Sequence, residues 1–263
     1  MLFHFSKEQR SSCETNLQLC FPQQDEATRT HLAKSSLIEM GKTITEIGPL
    51  WFWEKERVLN MVMQVSGQAH LRNAIAQGKG VLLAAPHLGS WEMMGPYFSA
   101  LYPMTIMYRP PRMQAIDATM RQARERFGAK LAPTTLQGVR TLYKALGKGE
   151  LVAILPDQDP RDGGGLFAPF FGVQAYTMTL LARLAKKSGA PILFCYAERL
   201  PRGKGFHLHL MLAEWDATQC DIQQNIEQIN AGVEQCIMQC PQQYQWSYKR
   251  FRTRPDGEKP LYD

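Results

Sequence analysis

The run Val81-Leu82-Leu83-Ala84-Ala85, followed at once by Pro86-His87-Leu88-Gly89-Ser90-Trp91-Glu92, constrains this chain more than any other segment. Aliphatic residues closed off by Pro, Gly and Ser predict a core strand ending in a loop. In an open α/β sheet the residues just beyond a strand's carboxyl end face the ligand-binding crevice. His87 and Glu92 are therefore expected there. An imidazole can take a proton near neutral pH, and a carboxylate beside it fixes its tautomer and strengthens it as a base. A serine hydrolase would need Gly-x-Ser-x-Gly around Ser90 and a zincin would need His-Glu-x-x-His; neither is present. Taken alone, His-x4-Glu fits equally a histidine satisfied at a strand end.

The rest of the chain repeats the strand and helix alternation of a parallel sheet. Strands are expected at 81–86, 104–108, 130–132, 151–155, 191–197 and 206–212. Helices are expected at 91–100, 113–127, 135–147, 176–188 and 221–239, with a polar, glycine-rich loop over 157–172. Ahead of these, Ala27 to Trp53 has apolar residues at helical spacing and ends in Trp51-Phe52-Trp53. At 263 residues and 44% hydrophobic content the chain can bury a sizeable core. The expected architecture is one α/β domain over 1–263 with a mostly parallel central sheet flanked by helices. Its parts would be a helical amino-terminal region (1–60), a catalytic core (81–215) and a carboxyl-terminal helix with a basic tail (216–263).

Six cysteines without a Cys-x-x-Cys pair predict reduced thiols, and a net charge of +6 favours an anionic partner. No run of 18 apolar residues exists to span a bilayer. Further candidates stand at other strand ends. Arg109 and Arg112 in Tyr108-Arg109-Pro110-Pro111-Arg112 suit an anion. Arg124 lies on the next helix with Arg121 three positions before it on the same face, where Arg121 reads as solvated. Asp157, Gln158 and Asp159 open the glycine-rich loop; that acidic loop is either plain solvated sequence or a magnesium site, for which two carboxylates are weak evidence. The tail, with Lys249, Arg250, Arg252 and Arg254 around Phe251 and with Trp246 and Tyr248 before it, reads as a membrane-interface surface or a solvated terminus.

These segments together resemble the bacterial lipid A late acyltransferases (lauroyl and myristoyl acyltransferases) of the lysophospholipid acyltransferase-like superfamily. The resemblance rests on His87 with Glu92, on 16–22 and Tyr108-Arg109-Pro110, on Pro156-Asp157-Gln158-Asp159, and on Pro241 to Trp246 running into 249–255. It implies the glycerolipid acyltransferase fold and transfer of a fatty acyl chain from an acyl-carrier protein thioester to a lipid A precursor hydroxyl. His87 would be the general base and Glu92 its orienting acid, with amides near Gly89, or Arg124, as oxyanion donors. Arg109, Arg112, Arg124, Asp157, Gln158 and Asp159 would bind substrate. No metal, cofactor or nucleic acid is implied. The family's usual amino-terminal anchor precedes the matching region and is not read here, so the expectation is peripheral docking at the cytoplasmic face of the bacterial inner membrane. Two other readings stand beside it: acylation of another lipid, such as a lysophospholipid or aminolipid, and a non-catalytic membrane or nucleic-acid binder.

Overall fold

Strand Val81–Ala84, here β2, shows why the sheet forms: Leu82 and Ala84 pack into one apolar layer, Val81 and Leu83 into the opposite one, and all four are fully buried. A strand with two buried faces needs covering on both sides, which crossover helices provide. The structure, a computed structural model, describes residues 7–111, 114–160 and 163–262.

In chain order, helices α1 (Lys7–Cys20), α2 (Glu26–Phe52) and the short α3 (Lys55–Leu59) lead into β1 (Val62–Ser66) and α4 (Gln68–Ala76). After β2 come a 3₁₀ turn (Trp91–Met93), α5 (Met94–Leu101), β3 (Met104–Tyr108), α6 (Gln114–Glu125), β4 (Lys130–Pro133), α7 (Leu136–Gly147) and β5 (Leu151–Ile154). Next are β6 (Gly165–Phe170), β7 (Val173–Met178), α8 (Leu180–Ser188), β8 (Ile192–Arg199), β9 (Phe206–Leu212) and α9 (Ile222–Gln239). The central sheet has the order β1-β9-β8-β2-β5-β3-β4 and every pair is parallel except β8 with β9. This is the mostly parallel α/β architecture expected.

Two expectations are corrected. The segment 157–172 is not all loop and 176–188 is not all helix, because β6 and β7 form an antiparallel hairpin there. Its two-residue connection, Phe171-Gly172, has both residues at positive φ (49° and 78°), the backbone twist a tight hairpin needs. The strain at Phe171 is held by ring contacts to Phe21 and Trp246 and by its amide donating to Glu234 at 2.8 Å. Alternate hairpin residues, Ala168, Phe170, Ala175 and Thr177, are buried against the core. That alternation, flanking a residue followed by glycine, was the available sequence signal.

The basic, aromatic tail is likewise only partly a surface: Arg252 is exposed and Tyr248, Lys249 and Arg254 are half-buried, while its other members are core. Trp246 is 2% exposed, Arg250 2% and Phe251 0%. The Arg250 guanidinium donates to the Tyr176 carbonyl at 2.7 Å and the Thr177 hydroxyl at 2.6 Å, under the ring of Phe170. Asn16 of α1 holds the tail by donating to the carbonyls of Trp246 and Tyr248, both at 2.7 Å, and Ser36 of α2 donates to that of Tyr244 at 2.7 Å. A buried polar group unpaired would cost about 1–3 kcal/mol, so these bonds fix where the tail runs.

Candidate active site

Strands β2 and β5 lie side by side with Ala84 level with Ile154, and the amide of Ala85 donates to the Ile154 carbonyl at 3.0 Å. Three residues beyond that level each strand delivers a polar side chain, His87 from one and Asp157 from the other. Parallel register makes them neighbours. Asp157 takes both hydrogen bonds His87 can offer toward it: Nδ1 donates to Oδ1 at 2.8 Å and the backbone amide to Oδ2 at 2.9 Å. Burial alone would raise the Asp157 carboxyl, but the adjoining His87 charge and its hydrogen bonds hold it below the usual carboxylate value. With Nδ1–H fixed on Asp157, Nε2 is the acceptor, and it receives the Gln158 amide at 3.1 Å. Gln158 in turn donates to Gln245 at 3.3 Å, while the Gln245 amide donates to the His87 carbonyl at 3.1 Å.

The loop after His87 is pinned from the other side. The Gly89 amide donates to Gln243, that of Ser90 to Ala197, and Gly89 sits at φ 61°. A Cβ there would stand 2.0 Å from the Ala197 carbonyl oxygen, so only glycine fits. These bonds correct one expectation, since amides already held by Gln243 and Ala197 have no proton to offer an oxyanion. Ser90 is fully buried, in keeping with the exclusion of a serine nucleophile.

Glu92 follows in the 3₁₀ turn, where its role differs from that expected. Arg124 of α6 grips the carboxylate with two bonds of 2.8 Å, Nε to Oε1 and Nη2 to Oε2, and the Trp51 indole donates to Oε1 at 3.2 Å. Burial works against the Arg124 charge, but the Glu92 hydrogen bonds and charge outweigh it and the guanidinium holds its proton more firmly than usual. A carboxylate gripped this way does not orient His87; Asp157 does. Arg124 gives two of its N–H groups to Glu92 and stays in the cavity lining with the rest.

A cavity of about 630 Å³ opens beside this group, within the range of ligand sites. Its polar lining residues include His87, Glu92, Arg109, Arg124, Gln158 and Asp159; its apolar ones include Met94, Met104, Ile106, Met107, Met120 and Leu155, of which the first three and Met120 are buried. Asp157, expected among the substrate-binding residues, stands behind His87 and is not among the residues that line the cavity. Asp159 reaches the lining, yet its carboxylate accepts the Thr253 amide at 2.9 Å and so ties down the tail. Asp157 and Asp159 thus bond separate protein groups, His87 and the Thr253 amide. Arg112 lies outside the described residues. Arg183 of α8, which sequence reasoning missed, also lines the cavity, with Nε donating to Thr179 at 3.0 Å. Nothing in its sequence context separates it from an ordinary helix-surface arginine.

The model of the family described as bacterial lipid A biosynthesis acyltransferase matches residues 1–253. This chain belongs to that family. The acyltransferase is 32% identical over 263 residues to the lipid A biosynthesis lauroyltransferase of Escherichia coli (strain K12), covering 100% of this chain and 85% of that one. It is 34% identical over 262 residues to the palmitoleoyltransferase of the same strain, at 98% and 83% coverage. The strain's myristoyltransferase is 24% identical over 261 residues, at 97% and 79%. Among the described residues of this acyltransferase, no helix is long and apolar enough to cross a membrane.

Proposed function

We propose that this lipid A acyltransferase carries a fatty acyl chain of lauroyl to myristoyl length from an acyl-carrier protein thioester to the hydroxyl of a hydroxyacyl group on a lipid A precursor, with His87 as general base. One observation carries the reading: an imidazole fixed at Nδ1 by a buried carboxylate presents Nε2 at the junction of a polar wall and an apolar cavity.

The acceptor hydroxyl displaces the Gln158 amide at Nε2 and gives its proton to the imidazole as its oxygen attacks the thioester carbonyl. Asp157 stabilises the imidazolium that forms, as the acid of a catalytic triad does. When the tetrahedral intermediate collapses, the carbon–sulfur bond breaks and the imidazolium returns the proton to the departing thiolate. No acyl-enzyme forms. The base contributes about 10²- to 10⁴-fold, and donors to the oxyanion supply much of the remainder. The Gln158 amide, released from Nε2 by the acceptor, is a donor on the same wall that can serve the oxyanion. Arg109 and Arg183 at the rim suit phosphates of the acceptor or of the phosphopantetheine arm. Glu92 holds Arg124 against the same wall and is a positioning residue. The protein docks peripherally at the cytoplasmic face of the inner membrane; Phe52, 69% exposed at the end of α2, offers an apolar contact.

The test is to incubate the purified protein in detergent with acyl-carrier protein loaded with chains from decanoyl to palmitoyl and a tetra-acylated lipid A precursor, and to read product mass. A gain of one acyl group that is absent in His87→Ala supports the reading. Unchanged transfer by a folded His87→Ala variant would sink the mechanism. Transfer only to a lysophospholipid or aminolipid acceptor, or only from coenzyme A, would replace the acceptor or donor proposed.

A further inference from the structure

Strand β9 carries His207 and His209 two positions apart, so both imidazoles stand on one face of the sheet. Across the antiparallel pairing, Glu198 of β8 lies opposite His207 and projects to that same face. The two rings are 3.8 Å apart between centroids, and one ligand atom from each histidine and from Glu198 lie within 4.8 Å of one another. Among the described residues this is the grouping of three such side chains that converges on one point, and it lies outside the acyl cavity. Neighbours fix both rings. The Ser66 hydroxyl, on β1, stands 2.8 Å from Nε2 of His207, and His209 stacks on Tyr196 at 4.6 Å with its Nε2 2.9 Å from Glu198 Oε2.

We propose that Glu198, His207 and His209 form a binding site for a divalent transition-metal ion, zinc in the first instance. Two nitrogens and one carboxylate oxygen are the ligand set zinc takes in sites that keep a fourth position for water. The 2.9 Å between His209 Nε2 and Glu198 Oε2 is about half an ångström shorter than the roughly 3.4 Å between adjacent tetrahedral ligands held about 2.0–2.2 Å from one ion, so a small parting of the two side chains admits it. An ion there takes the place of the hydrogen bond between that pair. Side-chain exposures of 21% for His209 and 34% for Glu198 leave an entry path from solvent. The ion would clamp β9 to β8 one residue from Ala197, whose carbonyl holds the Ser90 amide of the His87 loop. Its role is therefore structural support for the site and not a step in transfer.

The test uses the full chain stripped with a chelator and titrated with Zn²⁺ by calorimetry, with Co²⁺ as a spectroscopic probe. One equivalent is expected to bind and to raise the unfolding temperature. Co²⁺ should give weak visible bands without the strong near-ultraviolet absorption of thiolate ligation. His207→Gln/His209→Gln should lose the equivalent, Glu198→Gln should weaken it, and Ser66→Ala should weaken it by about 10- to 100-fold. No uptake by the stripped wild-type protein would overturn the proposal, as would unchanged uptake by the double variant or a thiolate spectrum. Should the double variant misfold, Glu198→Gln and Ser66→Ala decide the matter: wild-type affinity in both overturns it.

Discussion

Two carboxylates serve the cleft, and the chain holds them in opposite ways. Glu92 is five residues from His87, lines the cavity and is gripped by Arg124 and Trp51. Asp157 is seventy residues from His87, lies behind it away from the cavity and receives its ring and its amide. The near carboxylate thus builds the wall while the remote one fixes the His87 ring. The difference teaches that adjacency in a parallel sheet follows strand register: two residues three steps past matched positions meet however much chain separates them.

That contrast can be broken most directly at the base itself. His87→Ala should fold with a normal circular dichroism spectrum and lose transfer by at least about 10²- to 10⁴-fold in kcat, measured by product mass. Asp157→Asn comes next. It keeps the shape of the side chain but favours the wrong imidazole tautomer, and a loss of up to about 10⁴-fold in kcat is expected with KM little changed.

Glu92→Gln should act differently, through Arg124. We expect a loss of about 1–3 kcal/mol of stability by thermal denaturation, between the values for exposed and fully buried ion pairs. Its activity loss should be non-additive with Arg124→Gln, the double variant being no worse than the poorer single. If instead the two losses multiplied, or Glu92→Gln reproduced the kinetic signature of Asp157→Asn, the roles assigned to the carboxylates would have to be exchanged. A smaller effect belongs to Gln158→Leu, about tenfold in kcat if its amide aids the oxyanion and contributes roughly one hydrogen bond there. The last prediction concerns acid. Because Asp157 titrates below the ordinary carboxylate value of about 3.9, its contribution to stability is present above that value and lost as pH falls through the lowered one. Unfolding temperatures of the wild type and Asp157→Asn should therefore converge toward acid pH, and a gap that persisted there would show that the pair's charge is not its source of stability.

The same contrast marks what was legible in the residues. The strand at Val81 and the histidine behind it were readable because a doubly buried strand is a local pattern and its end is punctuated by proline and glycine. Helix α9, expected at 221–239, begins on a local device: Asp221 accepts the Gln224 amide while the Gln224 side chain receives that of Asp221, a reciprocal pair set by four consecutive residues. The partner of His87 was not readable by spacing. Glu92 was the nearer carboxylate in sequence, and nothing local announced that α6 would bring Arg124 to claim it.

The tail shows this most plainly. Alternating basic and aromatic residues look alike whether they meet lipid or protein, and here Asn16, Ser36, Tyr176 and Thr177, drawn from distant parts of the chain, supplied hydrogen bonds that hold the tail where Trp246, Arg250 and Phe251 are buried. By itself the sequence determined the α/β class, most strand and helix positions and the histidine at the crevice, because each depends on periodicity and capping within a few residues. Only the tertiary structure decided which carboxylate faces His87, which arginine is already paired and which end of the chain becomes core. Those outcomes depend on register between strands and on long-range hydrogen bonds that no window of neighbouring residues contains.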